Sequence, residues 1–338
     1  MRKYLLPENT NSYKANLHTH TDLSDGRLTP EEIKRLYKEQ GYSIVAYTDH
    51  DIFLQHNDLT DDTFLALNGY EMEVNQDAAH ITLPSGFKKT CHMCLIALDE
   101  SMTTPVCWHR EKYLFKNAVN HRYEVQNDES LPDYERVYSR EGISEMMKLG
   151  RDNGFFVTYN HPTWSIEDYC DYTGYDGMHA MEIVNYECVV NGYADHNERV
   201  YDDMLNAGKR IFCIATDDCH NTKGMFGGAT VIKADKLDYS SVTKALVNGH
   251  FYATEGPEIK NLYIEDDTVF VETSAVASIR INSGTRYAKK VFNTNGTAVT
   301  CAAFPLPKER NPYYFRITAT DMGGKCAYSN AYFIDEIQ

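Results

Sequence analysis

The chain has 338 residues and a net charge of −16, from 49 acids against 33 bases. That balance argues against an electrostatic grip on DNA or on an anionic membrane face, and an anionic substrate would need local positive charge such as bound cations. No stretch approaches a membrane span, the start Met1-Arg2-Lys3-Tyr4-Leu5-Leu6-Pro7 has no signal-peptide core, and nine scattered cysteines fit a reducing compartment, so the expected location is cytoplasmic.

Residues 15–18 read as a strand ending in His18-Thr19-His20, with Ser24-Asp25-Gly26 following. Two imidazoles at i and i+2 on an extended strand share a face and can hold one metal ion. Thr29-Pro30-Glu31-Glu32 then opens a helix. Thr29 can cap, Pro30 fits the first position, Glu32 completes a capping box, and Gly41 ends it. Ile33, Leu36 and Tyr37 give that helix its apolar stripe. Residues 43–47 form a buried strand delivering Thr48-Asp49-His50-Asp51.

The pattern recurs down the chain. Residues 64–67 lead to Gly69-Tyr70-Glu71, and 92–98 form a strand that begins with His92. Cys91-x-x-Cys94 has no second half, so both cysteines read as strand residues. Residues 99–138 are polar, aromatic-rich and without period, and read as an insertion over the site or its edge. A helix over 141–151 precedes a strand, 155–159, that delivers Asn160-His161-Pro162. Residues 179–184 form a strand carrying Glu182, 198–207 a helix, and 211–215 a strand delivering Asp217-Asp218-Cys219-His220. A strand at 229–233 and a helix at 241–247 complete an alternation that predicts an α/β barrel.

After Glu255 the character changes. Short alternating strands at 261–264, 268–272, 278–282, 297–303, 313–319 and 331–334, with turns at Asn295-Gly296 and Gly323-Gly324 and no evident helix, predict a small Ig-like β-sandwich over 256–338.

Metal-ligand residue types thus fall repeatedly at the ends of successive strands, where barrel active sites are built. The series HTH…SDG, TDHD, GYE, His92, NHP and DDCH resembles the PHP (polymerase and histidinol phosphatase) superfamily of metal-dependent phosphoesterases, over roughly residues 12–255. The nearest group is the carbaryl-hydrolase-like branch with a C-terminal β domain. The resemblance implies a distorted (β/α)7 barrel over 1–255 and two or three divalent ions (zinc, manganese or iron). One ion would take His18, His20, Glu71 and Asp218. A second would share Glu71 and add His92 and His161. A third would take Asp25, His50 and His220. Asp218 is preferred to Asp217 because its spacing to His220 matches the family's Asp-x-His. His80 is the rival to His92, which opens the longer apolar strand.

The implied chemistry is hydrolysis of a small phosphoester by a metal-bridged hydroxide, with no side-chain nucleophile. Glu71 would bridge the ions, and His220 or Asp49 would protonate the leaving group or orient a ligand. Arg27 and Lys223 lie beside the motifs and could reach a phosphoryl oxygen, though no clear cationic phosphate clamp is visible. The same hydroxide could instead cleave a carboxylic ester or carbamate. An exonuclease acting on nucleic-acid ends is disfavoured by the acidic balance. The expected partner is a small-molecule substrate, with neither nucleic acid nor membrane, and the oligomeric state is not legible.

Overall fold

The protein is described here by a computed structural model, which covers residues 2–81, 83–293, 296–307 and 313–337. The short strand β1 (Lys3–Tyr4) precedes β2 (Asn11–Asn16), helix α1 (Pro30–Glu39), β3 (Ile44–Tyr47), the long β4 (Leu65–Asn75) and β5 (Thr90–Ala97). An irregular segment holding the one-turn α2 (Ala118–His121) and a short 3-10 turn (Arg122–Glu124) leads to α3 (Arg140–Asp152) and β6 (Phe155–Tyr159). Then come α4 (Tyr169–Tyr172), β7 (Ala180–Asn185), α5 (Tyr186–Val190), α6 (Glu198–Asn206), β8 (Phe212–Thr216), β9 (Ala229–Ala234), α7 (Tyr239–Val247) and β10 (Phe251–Thr254).

Local chemistry sets these boundaries as expected. The Thr29 side chain accepts from the Glu32 amide and the Glu32 side chain answers the Thr29 amide, while Ile33 and Tyr37 turn inward. Gly41, just past the helix, sits at φ +75°. In α3, Ser139 caps the Gly142 amide and Ile143, Met146 and Met147 face the core.

The sheet differs from a closed parallel barrel in two ways. Strands β2, β3 and β4 are parallel, and so are β6, β7 and β8, but β5 runs antiparallel to both its neighbours and β9 antiparallel to β2. The ladder also stays open between β8 and β2, where an isolated bridge, Thr19 to Cys219, spans the gap. Buried side chains take over the seam. Asn16 Oδ1 accepts from the Asp217 amide at 2.9 Å, and Thr230 Oγ1 exchanges bonds with Ala215. Backbone groups that would have laddered are thereby paired, so the opening leaves no orphaned donors at these positions.

The C-terminal strands are β11 (Ile259–Glu265), β12 (Thr268–Val276), β13 (Ser278–Ser283), β14 (Ala288–Phe292), β15 (Val299–Pro305), β16 (Tyr314–Thr320), β17 (Cys326–Ser329) and β18 (Tyr332–Phe333), followed by α8 (Ile334–Ile337). One sheet has the order β1-β11-β12-β15. The other, β14-β13-β16-β17, continues through β10 into the large sheet. Leu262, Val269, Ile281, Phe304, Phe315 and Ile317 pack between the two. Three features here depart from the sequence reading: α8 is helical, β14 is a strand with no alternation to betray it, and β1 joins the C-terminal sheet through β11. Of the expected Asn295-Gly296 turn, Asn295 lies outside the described residues. No described helix is long and apolar enough to cross a membrane.

Candidate metal centre

Strands and the turns just past them deliver the polar groups to one buried point. Past β2, His18 and His20 lie side by side, their Nε2 atoms 3.0 Å apart. The turn that follows carries Asp25 and is tied down by Asp49, which accepts from the Thr21 amide at 2.7 Å, the Thr21 hydroxyl at 2.8 Å and the Ser24 hydroxyl at 2.6 Å. Gly26 is required in that turn, since a Cβ there would meet the His20 carbonyl oxygen at 2.5 Å. His50 leaves β3, Glu71 sits in β4, His92 in β5, His161 follows β6, and Asp218 and His220 follow β8.

Glu71 is the hub. Its Oε1 lies 3.2 Å from His18 Nε2, 3.3 Å from His92 Nδ1 and 3.3 Å from His161 Nε2, and accepts from Asn160 Nδ2 at 2.9 Å. Its Oε2 lies 3.4 Å from both His20 Nε2 and His50 Nδ1. Asp218 Oδ1 approaches His18 Nε2 at 3.2 Å, His20 Nε2 at 3.1 Å and His220 Nδ1 at 3.7 Å. Asp25 faces His220 Nε2 at 3.3 Å and His20 Nδ1 at 3.6 Å.

The nine residues expected as ligands therefore meet in one cluster. Its ligating atoms group as His18-His20-Asp218, His18-Glu71-His161, His50-Glu71-His92 and His20-Asp25-His50-His220, with the atoms of each group within 4.8 Å of one another. The partition differs from the three sets implied by resemblance: His161 groups with His18, and His92 with His50. Glu71 reaches both ways because its two oxygens face opposite sides of the cluster.

The donor set fits divalent cations. Imidazole nitrogens and carboxylate oxygens suit zinc, iron or manganese. Buried His20 Nδ1, His50 Nδ1, His92 Nδ1 and Asp218 Oδ1 have no hydrogen-bond partner, and leaving such atoms unpaired costs stability unless something binds them. Charge points the same way. Burial opposes ionisation of Glu71, yet the charges of His18, His92 and His50 and the His161 bond hold it well below the ordinary carboxylate range. Burial likewise opposes charge on His161, but Glu71, Asp218 and Glu182 raise it to about 9. Burial and the His20 charge push His50 down to about 3. Without a cation, protons on some imidazoles balance the carboxylates, and metal binding would displace them.

A further ring of groups orients the cluster. Glu182 Oε1 accepts from His18 Nδ1 at 2.8 Å and from the Thr216 hydroxyl at 2.6 Å, while its Oε2 accepts from the His161 amide at 2.8 Å. This fixes the His18 ring with Nε2 toward Glu71. Glu182's place on an apolar strand gave a signal; Asn160, which anchors Glu71, gave only its adjacency to His161.

Five sequence candidates lie off the cluster. Asp49 spends both oxygens on Thr21 and Ser24, and so positions the Asp25 turn without lining the pocket. Asp217 turns away and accepts from the Phe226, Gly227 and Gly228 amides and the Tyr37 hydroxyl. Arg27 is exposed, and Lys223 donates to Asn191 at 3.0 Å; neither lines the pocket. His80 lies in a short turn away from the cluster.

Above the cluster opens a pocket of about 360 Å³. Its walls include Phe115, Lys116, Trp164 and Tyr193, with Glu73 and Glu187 between them. Phe115 and Lys116 come from the irregular segment after β5, which sequence placed over the site or its edge without singling out either residue.

No family model matches the chain, and no curated protein matches it. Among solved structures it is similar to a two-domain protein from Bacteroides vulgatus ATCC 8482 containing a predicted PHP-like metal-dependent phosphoesterase, at 14% identity over 98% of both chains with a TM-score of 0.43. It is also similar to a proposed metal-dependent phosphoesterase from Bifidobacterium adolescentis ATCC 15703, at 14% identity over 62% of this chain and 88% of that one, TM-score 0.37. A third likeness is to an amidohydrolase from Chromobacterium violaceum with bound sulfate and no metal, at 14% identity over 61% and 87%, TM-score 0.36.

Proposed function

We propose that the chain is a metal-dependent hydrolase of the PHP type that cleaves a small-molecule phosphoester, and that its curled sheet is a distorted (β/α)7 barrel of that kind. One observation carries this reading: six imidazoles and three carboxylates from successive strands and the turns after them converge, with several buried ligating atoms making no hydrogen bond. Two or three zinc, manganese or iron ions bound there would supply Lewis acidity and a water acidified to react near neutral pH.

The chain's own groups do the rest. Glu71 and Asp218 hold negative charge at the centre, and Glu182 keeps His18 Nδ1 protonated so that its Nε2 stays free to ligate. His220 is the most open of the six imidazoles, 24% exposed, and lines the pocket. Its Nδ1 lies 2.9 Å from the Asp218 carbonyl oxygen, which leaves Nε2 toward Asp25 and the pocket. Of the two groups expected to handle the leaving-group proton, His220 lines the pocket and Asp49 does not, and His220 would serve there only in a two-ion form that leaves its Nε2 unligated. Phe115 and Trp164 give the pocket wall an apolar surface.

Glu73 and Glu187 on the same walls favour one second reading, a neutral carboxylic ester or carbamate as substrate. The deciding experiment measures metal content on purified protein and runs para-nitrophenyl phosphate and para-nitrophenyl acetate under manganese, zinc and iron. Metal with phosphate release supports the phosphoesterase. Metal with acetate release alone moves the enzyme to the second reading. Failure to bind any of the three metals overturns both.

A further inference from the structure

Lys116 sits in the irregular segment between β5 and β6, with its backbone left-handed at φ +47°. That conformation is disfavoured for any residue with a Cβ and persists only where the surroundings impose it. Here they do. The next amide, Asn117, donates to the Ser24 carbonyl at 3.0 Å, and the Asn117 side chain donates to the Asp22 carbonyl. Ala118 is buried in a small separate cluster with Ile52 and Val125. The segment is thus pinned to the turn that carries Asp25.

Pinning places one ammonium at the pocket wall. Lys116 Nζ lies 4.9 Å from the centre of the Phe115 ring and 3.5 Å from Asp25 Oδ2. The Phe115 ring stands edge-on to His50, 5.4 Å between centres. The Lys116 side chain is 59% exposed, so its pairing with Asp25 is loose and the ammonium can turn to an incoming anion without breaking a buried bond. Other cations nearby are spent: Arg136 is buried against Asp51 at 2.6 Å, and Lys223 is bonded to Asn191. Among the described residues, Lys116 is the one lysine or arginine lining the pocket. Its counterweight is needed, because Glu73 and Glu187 on the same walls repel an anion.

Resting on the phosphoesterase reading, we infer that Lys116 is a specificity-determining residue that binds a non-bridging phosphoryl oxygen, and that it tilts the pocket toward phosphomonoesters over neutral esters. The substrate's charge is met from two sides, by the cluster below and by Lys116 at the wall. A monoester gains most, since it carries the greatest charge on those oxygens.

The test uses the full chain loaded with manganese, in wild type and in the Lys116→Met and Lys116→Arg variants. Titration with inorganic phosphate reads binding, para-nitrophenyl phosphate kinetics read KM and kcat, and elemental analysis reads metal content. Lys116→Met should weaken phosphate binding and raise KM roughly tenfold, about the worth of one partly screened charge-assisted hydrogen bond, with a smaller change in kcat. Lys116→Arg should recover most of both. Equal phosphate affinity and KM in all three proteins would overturn the role of Lys116 and leave the phosphoesterase reading standing. A raised KM accompanied by lost metal would show that Lys116 acts only through Asp25, which also overturns it. No phosphate binding and no phosphate release by the loaded wild type would overturn the phosphoesterase reading and the inference with it.

Discussion

Asp217 and Asp218 leave the same strand end in opposite directions. Asp218 enters the cluster, whereas Asp217 gathers three backbone amides and a tyrosine hydroxyl. Their substitutions should part accordingly. Asp218→Ala, like His20→Ala, should abolish turnover with the circular dichroism spectrum and melting largely retained. Asp217→Ala leaves four buried donors unmatched and should cost on the order of 3 kcal/mol, read by denaturant titration. Glu182→Gln keeps shape but weakens the hold on His18. Metal affinity should fall about 10–100-fold by competition with a chelator, with little change in fold. Wild-type affinity in that variant would remove Glu182 from the account.

Glu167, which is not among the cluster's ligands, gives a pH prediction. Burial pushes its carboxyl up to about 7, against hydroxyl bonds from Tyr159, Tyr175 and Tyr138. A carboxyl raised above its unfolded value near 4.5 holds its proton more tightly when folded. Its contribution is therefore complete below about pH 4.5 and is lost as pH rises through about 7. Wild type should lose stability relative to Glu167→Gln across that window, by up to about 3 kcal/mol. A stability difference flat between pH 5 and 7.5 would refute the shift.

At the scale of elements, legibility followed periodicity. The capped α1, the apolar β3 and β6 and the ligands directly behind them announce themselves in sequence, because burial on two faces leaves an unbroken apolar run and the chemistry begins where that run stops. The reversal of β5 was hidden, since an apolar strand reads the same in either direction. Strand β14 was hidden because all five of its residues are exposed. The segment 99–138 has no period, so sequence could place it over the site but could not single out Phe115 or Lys116. What holds that segment is a buried ion pair, Arg136 to Asp51, close at 2.6 Å though not aligned as a hydrogen bond. Burial raises Asp51 to about 7, with Arg136 opposing. Arg136→Met strands that carboxyl and should cost about 3 kcal/mol or more. Limited proteolysis should then cut within 99–138 well before the rest of the chain; equal resistance would show that the pair does not hold it.

For the whole molecule, the composition break after Glu255 suggests a detachable tail, and the packing argues otherwise. Tyr314, Tyr328, Ala331 and Phe333 belong to the main core, and β17 pairs with β10. Arg316, 1% exposed, grips Asp202 with two bonds of 2.8 Å and Glu198 with a third, all on α6. Deleting residues 256–338 should therefore yield aggregated protein, not a working N-terminal unit. A soluble, metal-binding truncation would show that the two parts are independent after all.

The pairing of β1 with β11 makes synthesis wait. Lys3 and Tyr4 leave the ribosome some 260 residues ahead of their partners Ile264 and Tyr263, so the pairing of these two strands waits until β11 has been made. During that interval β1 has no strand to pair with, and once β11 emerges its edge stands open until β1 docks. A bulky insertion beside β1 would thus be felt some 260 residues away, as misassembly of the sheet that β1 shares with β11, β12 and β15.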